Sequence, residues 1–124
     1  MIDWRRWCRA ADLTVRDAVI EVALPDGRRH RVSIIEDGSG ELRLVGRIAT
    51  RTALARLDHP ELAIWERNRA SSVVGFRFDR HNTLVGEIVV PRAGLDAAEF
   101  GFYVRTLAAE CDRMEVLLTG NDVE

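Results

Sequence analysis

A chain of 124 residues, 47% hydrophobic and 31% charged, has the size of one domain with a single core and not the composition of a disordered or low-complexity segment. Its formal net charge of −2 and isoelectric point near 5.9 argue against a dedicated nucleic-acid binder, whose footprint is strongly basic. The N-terminus lacks the apolar core of a signal peptide and no apolar run approaches the roughly 18 residues of a membrane span, so the expectation is a cytoplasmic protein without a membrane partner.

The first pattern in chain order is "IDWRRWCRAADL". Ile2 or Trp4, Trp7, Cys8 and Ala11 recur there at three and four, with arginines on the other sides, and predict a short amphipathic helix. "AVIEVAL" follows, rich in β-branched residues and stopped by Pro25-Asp26-Gly27, which reads as a strand and a turn. Two apolar runs in "RHRVSIIEDGSGELRLVGRIA" flank Asp37-Gly38-Ser39-Gly40 and predict a hairpin.

From Thr50 to Ala70 the spacing returns to three and four through Ala53, Leu54, Leu57, Leu62, Trp65 and Asn68, with Pro60 interrupting it. Proline is tolerated at the first position of a helix but not inside one. The segment therefore reads as a short helical turn through Leu57, then a helix from Pro60 capped by Asp58 or His59. "SVVGFRF" and "TLVGEIVVP" alternate with period two around Asp79-Arg80-His81-Asn82. This is a second hairpin, with Ser71-Ser72 as the break before it and Pro91 as its end. Phe100, Tyr103, Leu107, Cys111, Met114 and Leu117 or Leu118 then trace the clearest helix, capped by Asp96 and ended by Gly120-Asn121.

The order α-β-β-β-α-β-β-α has no long crossover between paired strands. It predicts one α+β domain over residues 1–124, with a largely antiparallel sheet and helices packed on one face. Val32, Ile34, Leu42, Leu44, Ile48, Phe76, Phe78, Leu84, Ile88 and Val90 should face the helices. The alternate positions hold Arg31, Ile35, Arg43, Val45, Arg47, Arg77, Val85 and Val89, a mixture of guanidinium forks and aliphatics. That mixture fits either a solvated face laced with cross-strand ion pairs or a partner-binding surface. Trp65 fits the core or a helix-mediated dimer contact.

Chemistry is poorly represented. All 18 basic residues are arginine, which suits ion pairs and interfaces. His30, His59 and His81 lack a partner at metal-ligand spacing, Cys8 and Cys111 read as free thiols, and no serine stands in a nucleophile elbow. No catalytic residue, metal or cofactor is expected, and the chain is read as a non-enzyme.

The run "LAIWERNRASSVVGFRFDRHNTLVGEIVVPRAGLDAAEFGFYVRTLAAECDRME" resembles the C-terminal half of YbjN-like proteins, and "HRVSIIEDGSGELRLVGRIAT" fits that family's first hairpin. The YbjN group is similar in fold to type III secretion chaperones. The resemblance implies a small cytosolic homodimer that binds a segment of another protein and catalyses nothing. It implicates the 60–69 helix, with Leu62, Trp65, Asn68 and Arg69, in dimerisation, and the mixed sheet face in client binding. Two other functions remain open from the residues. One is a regulatory domain sensing a small ligand between helix and sheet, and the other is weak nucleic-acid binding through Arg31, Arg43, Arg47 and Arg77.

Overall fold

Period-two alternation along most of the chain builds one six-stranded antiparallel sheet, seen in a computed structural model that describes residues 3–119 except 56, 58, 71 and 72. The strands β1 (Leu13–Arg16), β2 (Val19–Ala23), β3 (Arg29–Glu36), β4 (Glu41–Thr50), β5 (Gly75–Phe78) and β6 (Thr83–Pro91) lie in the order β1-β2-β3-β4-β6-β5. Thus β1 and β5 are the sheet's edges. Helix α1 (Pro60–Ala70) joins β4 to β5 and packs beside β5, while α2 (Ala97–Thr119) crosses the inner face over β3, β4 and β6. This is the α+β domain expected from the sequence.

The inward positions are those the alternation selects: Val32, Ile34, Leu42, Leu44, Ile48, Phe76, Leu84, Ile88 and Val90 are buried, and Phe78 packs against them half-exposed. Helix α2 buries Phe100, Val104, Leu107, Cys111, Met114 and Leu118 against them, and Leu117 faces solvent. At its start, Asp96 Oδ1 accepts from Glu99 N at 2.8 Å, the carboxylate cap that its position promised.

Three segments differ from expectation. The N-terminal helix is a single 3-10 turn, Trp4–Trp7, opened by Asp3. Trp4 is buried, stacks on Phe100 at 5.9 Å and donates Nε1 to Glu36 Oε2 at 3.3 Å, so tertiary anchoring of one ring replaces a longer helix. Next, residues 13–16 form β1, because Asp17 adopts φ 54° and closes a two-residue hairpin with β2. Finally, β4 runs on to Thr50. Residues 51–55 then make isolated turns, Leu57 N reaches Leu54 O at 3.0 Å, and Leu54 is buried. Helix α1 does begin at Pro60. Ile2, the cap Asp58, the break Ser71-Ser72 and the stop Gly120-Asn121 lie outside the described residues.

One contact sets the distance between α2 and the sheet. Gly46 and Gly86 are directly opposed across β4 and β6 on the inner face, and Cys111 of α2 rests on both. The thiol donates to Gly46 O at 3.7 Å, and burial pushes its pKa up to about 12. It is a packing group, not a nucleophile.

Candidate functional site

No helix among the described residues covers the outer face of the sheet, and the strand registers place its side chains in rows. One row runs Thr14, Glu21 and Arg31; Arg47 stands opposite Val85, and Val85 opposite Arg77. A neighbouring row runs Arg16, Val19, Ser33, Val45 and Glu87, and a third runs Ile35, Arg43 and Val89. The sheet therefore brings together the eight residues nominated for partner binding. Seven of them reach solvent. Val85 is corrected: it is only 2% exposed, at a position flanked in register by Arg47 and Arg77, and offers no surface.

Glu87 organises the middle of the face. Arg43 Nη1 donates to Glu87 Oε2, while Arg77 donates Nη2 to Oε2 at 3.0 Å and Nε to Oε1 at 3.3 Å. Arg77's hydrogen bonds, aided by Arg43, hold the Glu87 carboxyl below the usual glutamate range. A carboxyl depressed in this way stabilises the fold above the unfolded glutamate pKa, and the contribution is lost as pH falls through the folded value. Replacing Glu87 with Gln should cost about 1 kcal/mol at neutral pH. Below the glutamate range the two proteins should converge. Urea titrations across pH check this, and a constant difference at all pH values would remove the ion pairs as its cause.

On α1, Leu62 and Trp65 are 51% and 55% exposed one turn apart, and Arg69 stacks its guanidinium 4.9 Å from the Trp65 ring. Ile64, not Trp65, is the helix's buried anchor. Asn68 is exposed on the same helix, and its carboxamide already has partners. Its Nδ2 donates to Phe76 O at 3.0 Å and its Oδ1 accepts from Phe76 N at 2.8 Å, so its carboxamide is engaged within the chain, on the outer edge of β5.

The described residues bring three possible metal donors together. A ring nitrogen of His30 and carboxylate oxygens of Asp112 and Glu115 lie within 4.8 Å of one another, all buried. His30 Nε2 sits 2.8 Å from Arg47 O; a carbonyl only accepts, which assigns the proton to Nε2. Arg28 donates Nε and Nη2 to Asp112 Oδ1 at 3.2 and 3.1 Å. A cation would have to displace that guanidinium, so the arrangement fits an ionic tie between α2 and the entry to β3. The groove that a small ligand would need between helix and sheet lies alongside, a cavity of about 530 Å³ lined by Leu24, Pro25, Arg28, Ala109, Asp112 and Val116 among others. His81 serves the β5–β6 turn, donating its N–H to Asp79 Oδ1 at 2.8 Å. No helix among the described residues is long and apolar enough to cross a membrane.

No protein-family model matches the chain, and no curated protein matches it. Solved structures do share its fold. One is a chain of the heterodimeric ExoU-SpcU complex from the type III secretion system of Pseudomonas aeruginosa, with a TM-score of 0.62 at 19% identity over 98% of this chain and 100% of that one. A chain of the HopA1-SchA chaperone-effector complex gives 0.59 at 13% identity, covering 90% and 87%. The complex of the Yersinia pestis type III secretion chaperone SycH with a stable fragment of YscM2 gives 0.54 at 10%, covering 90% and 92%. At these identities the likeness is one of fold: an α+β domain of the architecture found in type III secretion chaperone complexes.

Proposed function

We propose that this chain is a non-enzymatic protein-binding module of chaperone or adaptor type, working in the cytoplasm, which holds a segment of a partner protein and pairs with a second copy of itself through α1. The observation that carries this reading is the fold likeness over nearly the whole chain to chains solved together with protein partners. The YbjN-like pattern between residues 62 and 115 agrees with it. Leu62 and Trp65 support the pairing surface, since two large apolar side chains on one exposed stripe are more stable covered than wet. Co-purification with the product of a neighbouring gene tests the partner. A monomer that retains no such protein counts against the reading.

Trp65 has its own test. Replacing it with Ala should turn a dimer into a folded monomer in light-scattering chromatography and abolish the concentration dependence of the melting temperature. A melting temperature lowered equally at every concentration, with the dimer intact, would remove Trp65 from the interface.

A further inference from the structure

The outer sheet face carries an excess of positive charge. Arg16, Arg29, Arg31, Arg43, Arg47 and Arg77 stand at its outward positions against Glu21, Glu41 and Glu87. Six arginines against three glutamates leave an excess of three positive charges on one face of a chain whose net charge is −2. Part of that excess is engaged: Arg43 and Arg77 close on Glu87, Arg29 reaches Glu21 at 3.1 Å, and Arg31 approaches the same carboxylate at 4.0 Å. Arg16 and Arg47 form no ion pair among the described residues. A cavity of about 490 Å³ opens between β1, β2 and β3, lined by Thr14, Arg16, Val19, Glu21, Arg29 and Arg31.

The residues between the arginines decide what kind of anion fits. Val19, Ile35, Val45 and Val89 are aliphatic, and no aromatic ring stands at an outward strand position among the described residues. Nucleic-acid strands bind such faces by stacking bases on aromatic rings, and the acidic remainder of the chain repels a polyphosphate. Aliphatics among guanidinium forks pack the side chains of a peptide.

We propose that this face binds an extended, acidic segment of the partner protein, its carboxylates meeting Arg16, Arg31 and Arg47 and its aliphatic residues lying on the valines between them. The inference rests on the protein-binding reading and names the chemistry of the segment bound. An extended chain directs alternate side chains to opposite sides, so a probe of Glu-Glu-Val-Val repeats presents both kinds of residue on either side.

Fluorescence anisotropy with that labelled peptide, its Lys-Lys-Val-Val counterpart and a single-stranded thymidine oligonucleotide of equal length tests the assignment. The Glu peptide should bind at least about tenfold more tightly than the Lys peptide, and its affinity should fall with salt. The Arg31→Ala, Arg47→Ala double variant should weaken it about tenfold. Both side chains are exposed, so the variant keeps its circular dichroism; a further Arg31→Glu, Arg47→Glu variant should prefer the Lys peptide. Equal binding of the two peptides, an unchanged double variant, or tighter binding of the oligonucleotide would each overturn the assignment. If the Glu peptide does not bind and the co-purified partner is retained, the acidic-segment assignment fails alone. Absence of any protein partner removes the reading beneath it.

Discussion

Replacing Gly86 with Ala should lower the melting temperature by about 10 °C, the consequence of roughly 2–3 kcal/mol of overpacking in a domain of this size. A β-carbon there would meet Cys111 Sγ at 2.6 Å, Val74 Cγ1 at 3.2 Å and Leu107 Cδ1 at 3.3 Å. Its neighbour across the ladder is tight for one reason only: a β-carbon at Gly46 would meet Cys111 Sγ at 2.8 Å, with its next contact at an ordinary 3.5 Å. The two glycines therefore differ in how they are rescued. Cys111→Ala removes the shared obstacle and alone costs about 1 kcal/mol for the small void. Combined with Gly46→Ala it should recover most of the loss. Combined with Gly86→Ala it should recover only part, since Val74 and Leu107 still crowd the site. A double-mutant cycle by thermal or urea unfolding measures the coupling. Strict additivity of Gly46→Ala with Cys111→Ala would show that Cys111 does not set the spacing between α2 and the sheet.

The second large effect belongs to Asn68. Its carboxamide is both donor and acceptor, and it matches the N–H and C=O of Phe76 as a neighbouring strand would. Asn68→Ala deletes both hydrogen bonds and should cost about 2 kcal/mol. The loss should be the same at every protein concentration, whereas an interface role would make it vanish in the monomer. Asn68→Asp keeps the acceptor but sets a carboxylate oxygen against the Phe76 carbonyl. At neutral pH it should cost at least as much as Ala. That repulsion raises the folded pKa of the introduced acid, so stability should return as pH falls and its protonated oxygen becomes a donor. An Asn68→Ala protein with unaltered unfolding would dismiss the hydrogen-bond pair as a stabilising contact.

These contacts mark where sequence reasoning stops. Alternation assigned the inward set from Val32 to Val90 because a strand has only two faces, and Asp96 and Pro60 announced their helices through local chemistry. Trp65 lay on a helical stripe that served core and interface equally well, and three-dimensional context was needed to show it exposed. Leu13 closed the stretch read as the preceding helix, which concealed β1; Thr14 and Val15 before an Asp able to take positive φ were the available signal. Asn68 gave none, since its partner Phe76 is reached only after the chain turns back. Val85 was assigned to the correct face, but its burial depends on neighbours on two other strands. The tie between Arg28 and Asp112 joins residues 84 positions apart, beyond any periodicity.

The sheet's two edges are blunted in the same way. In an antiparallel ladder alternate residues point their N–H and C=O groups the same way, so the free side of β5 presents Phe76 and Phe78, and that of β1 presents Leu13 and Val15. Asn68 takes Phe76, while the Leu13 N–H is spent on Ala10 O at 3.1 Å and Arg5 Nε donates to the Asp17 carbonyl at 3.3 Å just past β1. Each edge strand keeps one such residue with both groups open among the described residues, too few to start a ladder, so neither edge invites the strand-by-strand growth that ends in a fibre.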